Sequence, residues 1–188
     1  HEAARLGLAV VVRIGVLAQA DTLASDQTVA HAVVGNVAEH VWASDPRIRD
    51  ILGGLLGEID WHHDVGSLSG GQRRRVSLAK VLVGDWDVLA LDEPTNHLDV
   101  EAITWLADHL KHRWAANAGA LLAVTHDRWF LDEVANLTWE VHDQVVEPFE
   151  GGYAAYVLQR VERDRQAAAN EARRQNLARK ELAWLRRG

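Results

Sequence analysis

Leu68-Ser69-Gly70-Gly71-Gln72 and, one helix-like segment later, Val88-Leu89-Ala90-Leu91-Asp92-Glu93-Pro94-Thr95-Asn96-His97-Leu98-Asp99 bound the stretch that decides the fold. Val88 to Leu91 is a short, continuously apolar run, the pattern of a strand buried on both faces of a parallel sheet. It runs straight into Asp92 and Glu93. Ligands of open α/β sheets bind beyond the carboxyl ends of the strands, so two acids at that point are placed for chemistry. Side chains alternate along a strand, which predicts that Asp92 and Glu93 point in different directions and take different roles. Without its context, the pair also fits a strand that ends in two solvated acids before a turn.

Ahead of that strand, Ser69 is a good N-cap for a helix from about Gln72 to Val83. Gly70 and Gly71 let backbone N–H groups approach a ligand at the helix start, where free donors and the helix dipole favour phosphate. A lone Ser-Gly-Gly is more often a simple turn, so its weight comes from the motifs downstream of it.

Taken in order, Leu68 to Gln72, Leu91 to Asp99 about twenty residues later, and then Val124-Thr125-His126-Asp127-Arg128 resemble the ATP-binding cassette (ABC) ATPases. The wording Asn96-His97-Leu98-Asp99 and Thr125-His126-Asp127-Arg128-Trp129-Phe130-Leu131-Asp132 is similar to the ABC-F branch. Members of that branch are tandem-cassette proteins without membrane spans, many of them acting on the ribosome. The resemblance implies an α/β fold: a partial P-loop NTPase domain of ABC type over residues 1–150, with a helical signature subdomain at about 27–84. Residues 151–188 would begin a long, basic linker helix between cassettes.

The same resemblance assigns roles. Asp92 and Gln19 would hold Mg²⁺ and the attacking water, Glu93 would act as general base, and His126 would contact the γ-phosphate of ATP. Ser69, Gly70, Gly71 and Gln72 would form the signature loop, which closes over ATP held by a second cassette. Asp99 falls in the D-loop. The implied cofactors are ATP and Mg²⁺, and the implied partners are a second cassette and, through the linker, the ribosome with its rRNA and tRNA.

With 188 residues, 48% hydrophobic and 25% charged, the chain has material for a full core. It contains no cysteine, which excludes disulfides and thiolate metal sites. It begins at His1 and carries no apolar run of spanning length, so it reads as an internal piece of a cytoplasmic protein. Charge is uneven: residues 157–188 hold nine Arg and Lys against four acids, leaving eleven against 23 in residues 1–156, a balance of −12. An acidic body argues against unspecific nucleic-acid binding and leaves the tail as the candidate RNA-facing element, or else a solvated helix.

Leu8 to Ala18 is rich in β-branched residues and reads as one or two strands, with Gln19 directly after. Val29, Val33, Val37 and Val41 recur every four residues and predict one helix from about Thr28 to Trp42. Asp45-Pro46 opens another, with Ile48, Ile51, Leu52 and Leu55 at helical spacing and an end near Gly57. His62-His63-Asp64 lacks a third spaced ligand and is assigned to a loop without a metal.

Asp99 can cap a helix with Ile103, Leu106 and Leu110 inside, and His109 and His112 are placed on its solvated face. Ala120 to Thr125 reads as a further buried strand ending at His126, a residue that alone would pass for a capping or core histidine. Leu137 to Val141 and Val145 to Phe149 read as a hairpin. Gly151-Gly152-Tyr153-Ala154-Ala155-Tyr156 resembles the ABC-F entry to the linker, and a helix from Tyr153 to the end would span roughly 50 Å.

One departure is serious. The phosphate loop, Gly-x-x-x-x-Gly-Lys-Ser/Thr, does not occur in these residues and would lie upstream of His1. On this reading the chain holds half a catalytic site. Three functions are compatible with it: part of the first cassette of an ABC-F ATPase, serving translation or ribosome protection against an antibiotic; the nucleotide-binding subunit of a membrane transporter; or a non-catalytic interaction fragment.

Overall fold

The computed structural model describes residues 11–19, 23–116 and 118–185, without the side chains at 181 and 183. The chain forms two compact units, His1–Phe130 and Leu131–Gly188. Part of the first expected strand, residues 8–10, lies outside the described residues.

The first unit is built on a parallel sheet of strands β1 (Ile14–Leu17), β2 (Val88–Asp92) and β3 (Ala120–Val124), in that spatial order. Leu17 pairs with Leu91, and Asp92 with Val124, so all three strands present their carboxyl ends at one edge. The connections supply helices α1 (Val29–Val34), α2 (Glu39–Trp42), α3 (Pro46–Leu56) and α4 (Gly70–Val83) before β2. Helix α5 (Val100–Lys111) crosses from β2 to β3, and α6 (Arg128–Val134) comes after β3.

The core lies on one face of the sheet. Leu17, Leu89 and Leu91 are buried there together with Val76, Leu78, Ala79 and Leu82 of α4 and Leu106 and Leu110 of α5. The opposite face stays open: Ile14, Val16, Leu122 and Val124 are exposed, and Val88 and Ala90 only half-buried. The expectation of strands buried on both faces is therefore met for one face only among the described residues. Helix α3 approaches α5 closely because Gly54 has no side chain; a Cβ there would stand 2.2 Å from the Trp105 ring. Arg113 ties the far end of α4 down by donating to the carbonyls of Leu82 and Gly84.

Two local expectations are corrected. The single helix over Thr28–Trp42 is broken into α1 and α2 at Gly35, whose φ of 65° is left-handed and stops α1. Val29 and Val33 are buried as the stripe predicts, whereas Val37 and Val41 beyond the break are exposed. Asp45, by contrast, caps α3 as expected, its Oδ1 accepting from the Arg47 N–H at 2.8 Å.

The second correction concerns His109, which is packed rather than solvated: its side chain is 8% exposed, stacked on Trp105 one turn back and 3.6 Å from Asp50 of α3. His112 keeps the expected exposed position. Burial, then the Arg113 charge, pushes the His109 imidazole below its ordinary pKa of 6.5, and Asp50 opposes that shift. The neutral ring therefore stabilises the folded state above about pH 6.5, and the gain is lost as pH falls through the lower folded value. Thermal melts between pH 7.5 and 5 should show a falling Tm that His109→Gln flattens; an equal slope in the variant would contradict this.

The second unit joins an antiparallel hairpin, β4 (Leu137–His142) and β5 (Val145–Glu150), to helix α7 (Tyr153–Leu185). Tyr156 packs edge-on to Phe149, Arg163 lies over the Phe149 ring and pairs with Glu147 at 2.7 Å, and Arg160 pairs with Glu140. The hydrogen bond from Arg160 holds the Glu140 carboxyl below the usual carboxylate range. These contacts explain why the hairpin groups with α7. From Val161 onward every described side chain of α7 is exposed. No described helix is long and apolar enough to cross a membrane.

Candidate active-site edge and signature helix

At the carboxyl edge of the sheet the backbone turns sharply at Glu93. Its φ is 48°, a left-handed conformation that costs energy in a residue with a Cβ and persists only when its surroundings hold it. The peptide between Asp92 and Glu93 is held at both ends. The Glu93 N–H donates to the Val124 carbonyl at 2.7 Å, and the Asp92 carbonyl accepts from the Arg74 guanidinium. The turn sends the two acids apart, as alternation predicts: Asp92 stays half-buried on the face of Val88 and Ala90, while Glu93 is buried.

Glu93 meets His126 at the end of the neighbouring strand. His126 Nε2 lies 3.1 Å from Glu93 Oε1, and the His126 N–H lies 3.4 Å from Oε2. The carboxylate is 9% exposed whereas the imidazole is 97% exposed, so the histidine presents its ring outward while touching a sheltered acid. The approach to His126 is braced by Thr125, whose hydroxyl lies 3.1 Å from that of buried Thr95 and accepts from the Asp127 N–H. Asp127 in turn accepts from the Phe130 N–H at 2.9 Å.

Gln19 stands at the same edge. It lies two residues past Leu17, which pairs with Leu91, as Glu93 lies two past Leu91, and its side chain is exposed. Asp92, Glu93, Gln19 and His126 therefore share the carboxyl end of the three strands. Carboxylate and amide oxygens are the hard donors that Mg²⁺ takes, so Asp92 and Gln19 fit that ion by chemical type.

Ser69, Gly70, Gly71 and Gln72 lie at the start of α4. Ser69 Oγ accepts from the Gln72 N–H at 3.3 Å, and Gln72 Oε1 accepts from the Ser69 N–H at 3.0 Å, a reciprocal capping box. Gln72 is thus engaged at the helix start rather than turned outward. Ser69 and Gly70 are exposed, and a Cβ at Gly70 would meet only open space. The start of a helix, with N–H groups that have no partner inside it, favours an anion. The helix is also tied to the stretch after Glu93: Arg75 Nε donates to the His97 carbonyl at 3.2 Å, and a Cβ on Gly71 would come 3.3 Å from His97 Cβ. His97 has a φ of 64°. Asp99 closes this stretch by capping α5, its Oδ1 accepting from the Ala102 N–H at 2.8 Å.

Arg74 and Arg75 have no distinguishing signal in the sequence. Three consecutive arginines come after Gln72, and only the fold separates their acceptors.

Residues 9–96 match the sequence model of the ABC transporter family. The chain is 44% identical over 151 residues to an uncharacterized ABC transporter ATP-binding protein, YfmR, of Bacillus subtilis, which covers 80% of this chain and 23% of that protein. It is 48% identical over 124 residues to the energy-dependent translational throttle protein EttA of Mycobacterium tuberculosis, covering 66% of this chain and 22% of that one. The chain thus spans less than a quarter of the length of these two relatives. Among solved structures, an archaeal ribosome recycling factor, aABCE1, in complex with the ribosomal stalk protein aP1 superposes with a TM-score of 0.63. It shares 24% identity and covers 79% of this chain and 30% of that one, a likeness of fold.

Proposed function

We propose that this chain, which matches the ABC transporter family over residues 9–96 and is similar to the ABC-F branch of ATP-binding cassette ATPases, is the latter part of a first cassette, residues 1–150, followed by the start of an inter-cassette linker, residues 151–188, in a cytoplasmic ATPase that acts on the ribosome. The phosphate loop and a second cassette would come from sequence outside this chain. The contact between sheltered Glu93 and outward-facing His126, at the strand end that also carries Asp92 and Gln19, carries the hydrolytic half of the proposal.

In this reading Glu93 takes the proton of the attacking water as the water oxygen bonds to the γ-phosphorus and the bond from that phosphorus to the β–γ bridging oxygen breaks, with ADP as the leaving group. His126 donates to a γ-phosphate oxygen and, through the same ring, reports to Glu93 whether that phosphate is present. Asp92 and Gln19 would hold Mg²⁺, which neutralises phosphate charge when bound. Ser69, Gly70 and Gly71 point their open helix start at ATP on the facing cassette, with Gln72 locking the cap and Asp99 fixing the D-loop beside it. Each cassette then completes the other's site.

The ribosomal half rests on the translational role in the name of the EttA relative and on the exposed helix α7 with Arg173, Arg174, Arg179 and Lys180. RNA phosphates are attracted by such a surface in a salt-dependent way. Sedimentation of the full-length protein with ribosomes should be strong with a non-hydrolysable ATP analogue and weak with ADP. Reversing those four charges to Glu should weaken pelleting by on the order of tenfold or more. Equal pelleting in both nucleotides, or copurification with a membrane subunit, would contradict the proposal.

A further inference from the structure

We infer that Arg74 is the positioning residue that sets Gln19 and Glu93 against each other, and that it does so from the signature helix itself. Its NH1 donates to the Ala18 carbonyl and its NH2 to the Asp92 carbonyl. These are the peptides that lead directly into Gln19 and Glu93. One planar guanidinium thereby spans the carboxyl ends of β1 and β2 with two separate nitrogens in a fixed fork, where lysine has one nitrogen only.

The need for such a clamp comes from the backbone. Glu93 enters the site through a left-handed φ of 48°, so its carboxylate depends on the plane of the Asp92–Glu93 peptide. Val124 holds the N–H side of that peptide, and Arg74 holds the carbonyl side. The ladder between β1 and β2 ends at the pair Leu17 and Leu91, and the Arg74 bond to Ala18 ties the approach to Gln19 to β2 beyond that point. Arg74 also lies one turn past Gly70, the first residue of the helix that faces the second nucleotide. Displacement of that helix is transmitted to the Glu93 turn through the same side chain. The neighbouring arginines reach other acceptors: Arg73 donates to the Gly66 carbonyl and Arg75 to that of His97.

This inference rests on the hydrolytic reading above for its kinetic consequence and on the fold alone for its geometry, so both are measured. In the full-length protein, Arg74→Gln should lower kcat for ATP on the order of 10- to 100-fold with KM held within about threefold, because positioning rather than binding is lost. Arg74→Lys should recover only part of that, and Arg73→Gln should leave kcat near wild type. Hydrogen exchange read by mass spectrometry on the same proteins should show faster exchange in peptides covering 88–93 for Arg74→Gln, and not for Arg73→Gln. A folded Arg74→Gln protein with unchanged kcat and unchanged exchange would overturn the inference. So would full recovery by lysine, or an equal loss in Arg73→Gln. If the wild type does not turn over ATP, it is the hydrolytic reading that fails, and the exchange comparison alone decides the role of Arg74.

Discussion

Replacing Glu93 with glutamine in the full-length protein is expected to cut ATP turnover by about 10²- to 10⁴-fold while leaving ATP affinity within a few-fold. The substitution is nearly isosteric. Its amide can still accept from the His126 N–H, which lies 3.4 Å from the present carboxylate, and the left-handed backbone turn is retained. What disappears is the proton acceptor. A protein that binds ATP and cannot hydrolyse it should also stay on ribosomes when ATP is supplied, because the ATP form is expected to bind them strongly and the ADP form weakly. Single-turnover phosphate release gives the first quantity, and ribosome sedimentation with ATP gives the second. Turnover within a few-fold of wild type, or unchanged sedimentation, would remove Glu93 from the role of general base.

The second large effect is on the fold that carries the site. Leu106 is fully buried on α5, against the face of the sheet that holds Leu89 and Leu91. Leu106→Ala should destabilise the first unit by about 3 kcal/mol, from lost transfer free energy plus the cavity left behind. The open opposite face makes this unit more dependent on its one covered side, since Ile14, Val16, Leu122 and Val124 contribute little burial among the described residues. Denaturant unfolding should show a lower midpoint with an unchanged slope. A loss below about 1 kcal/mol would mean that the α5 contact is looser than its burial indicates.

Where a local signal is strong, sequence and structure coincide. Val88 to Leu91 is a strand because it is apolar and ends in turn residues, and it lies at the centre of the three-stranded sheet. Asp45-Pro46 and Ser69 start α3 and α4 because capping is a matter of one or two neighbouring residues. The break at Gly35 is hidden by valines that keep their four-residue spacing across it, and spacing alone does not register a left-handed residue. The burial of His109 is hidden too, because it comes from α3, which reaches it through the close approach of Gly54 to Trp105.

The site divides in the same way. Asp92, Glu93 and His126 are legible as polar residues at strand ends, and the parallel register brings those ends together. Arg74 is not, because three arginines in a row on one helix differ only in which carbonyl each can reach. Gln72 is legible as part of the Ser69-to-Gln72 pattern proposed as a signature loop, but its reciprocal bond with Ser69 depends on the geometry of the helix start.

The most direct measurement is ATP turnover by the intact protein isolated from its native cells, with mass and N-terminal sequence read from the same preparation. Expected is a species longer than 188 residues, with a Gly-Lys-Ser/Thr phosphate loop ahead of Gln19 and turnover that Glu93→Gln abolishes. A species that lacks such a loop and still hydrolyses ATP, or one that carries the loop and keeps its turnover without Glu93, would contradict the division of the site proposed for this chain.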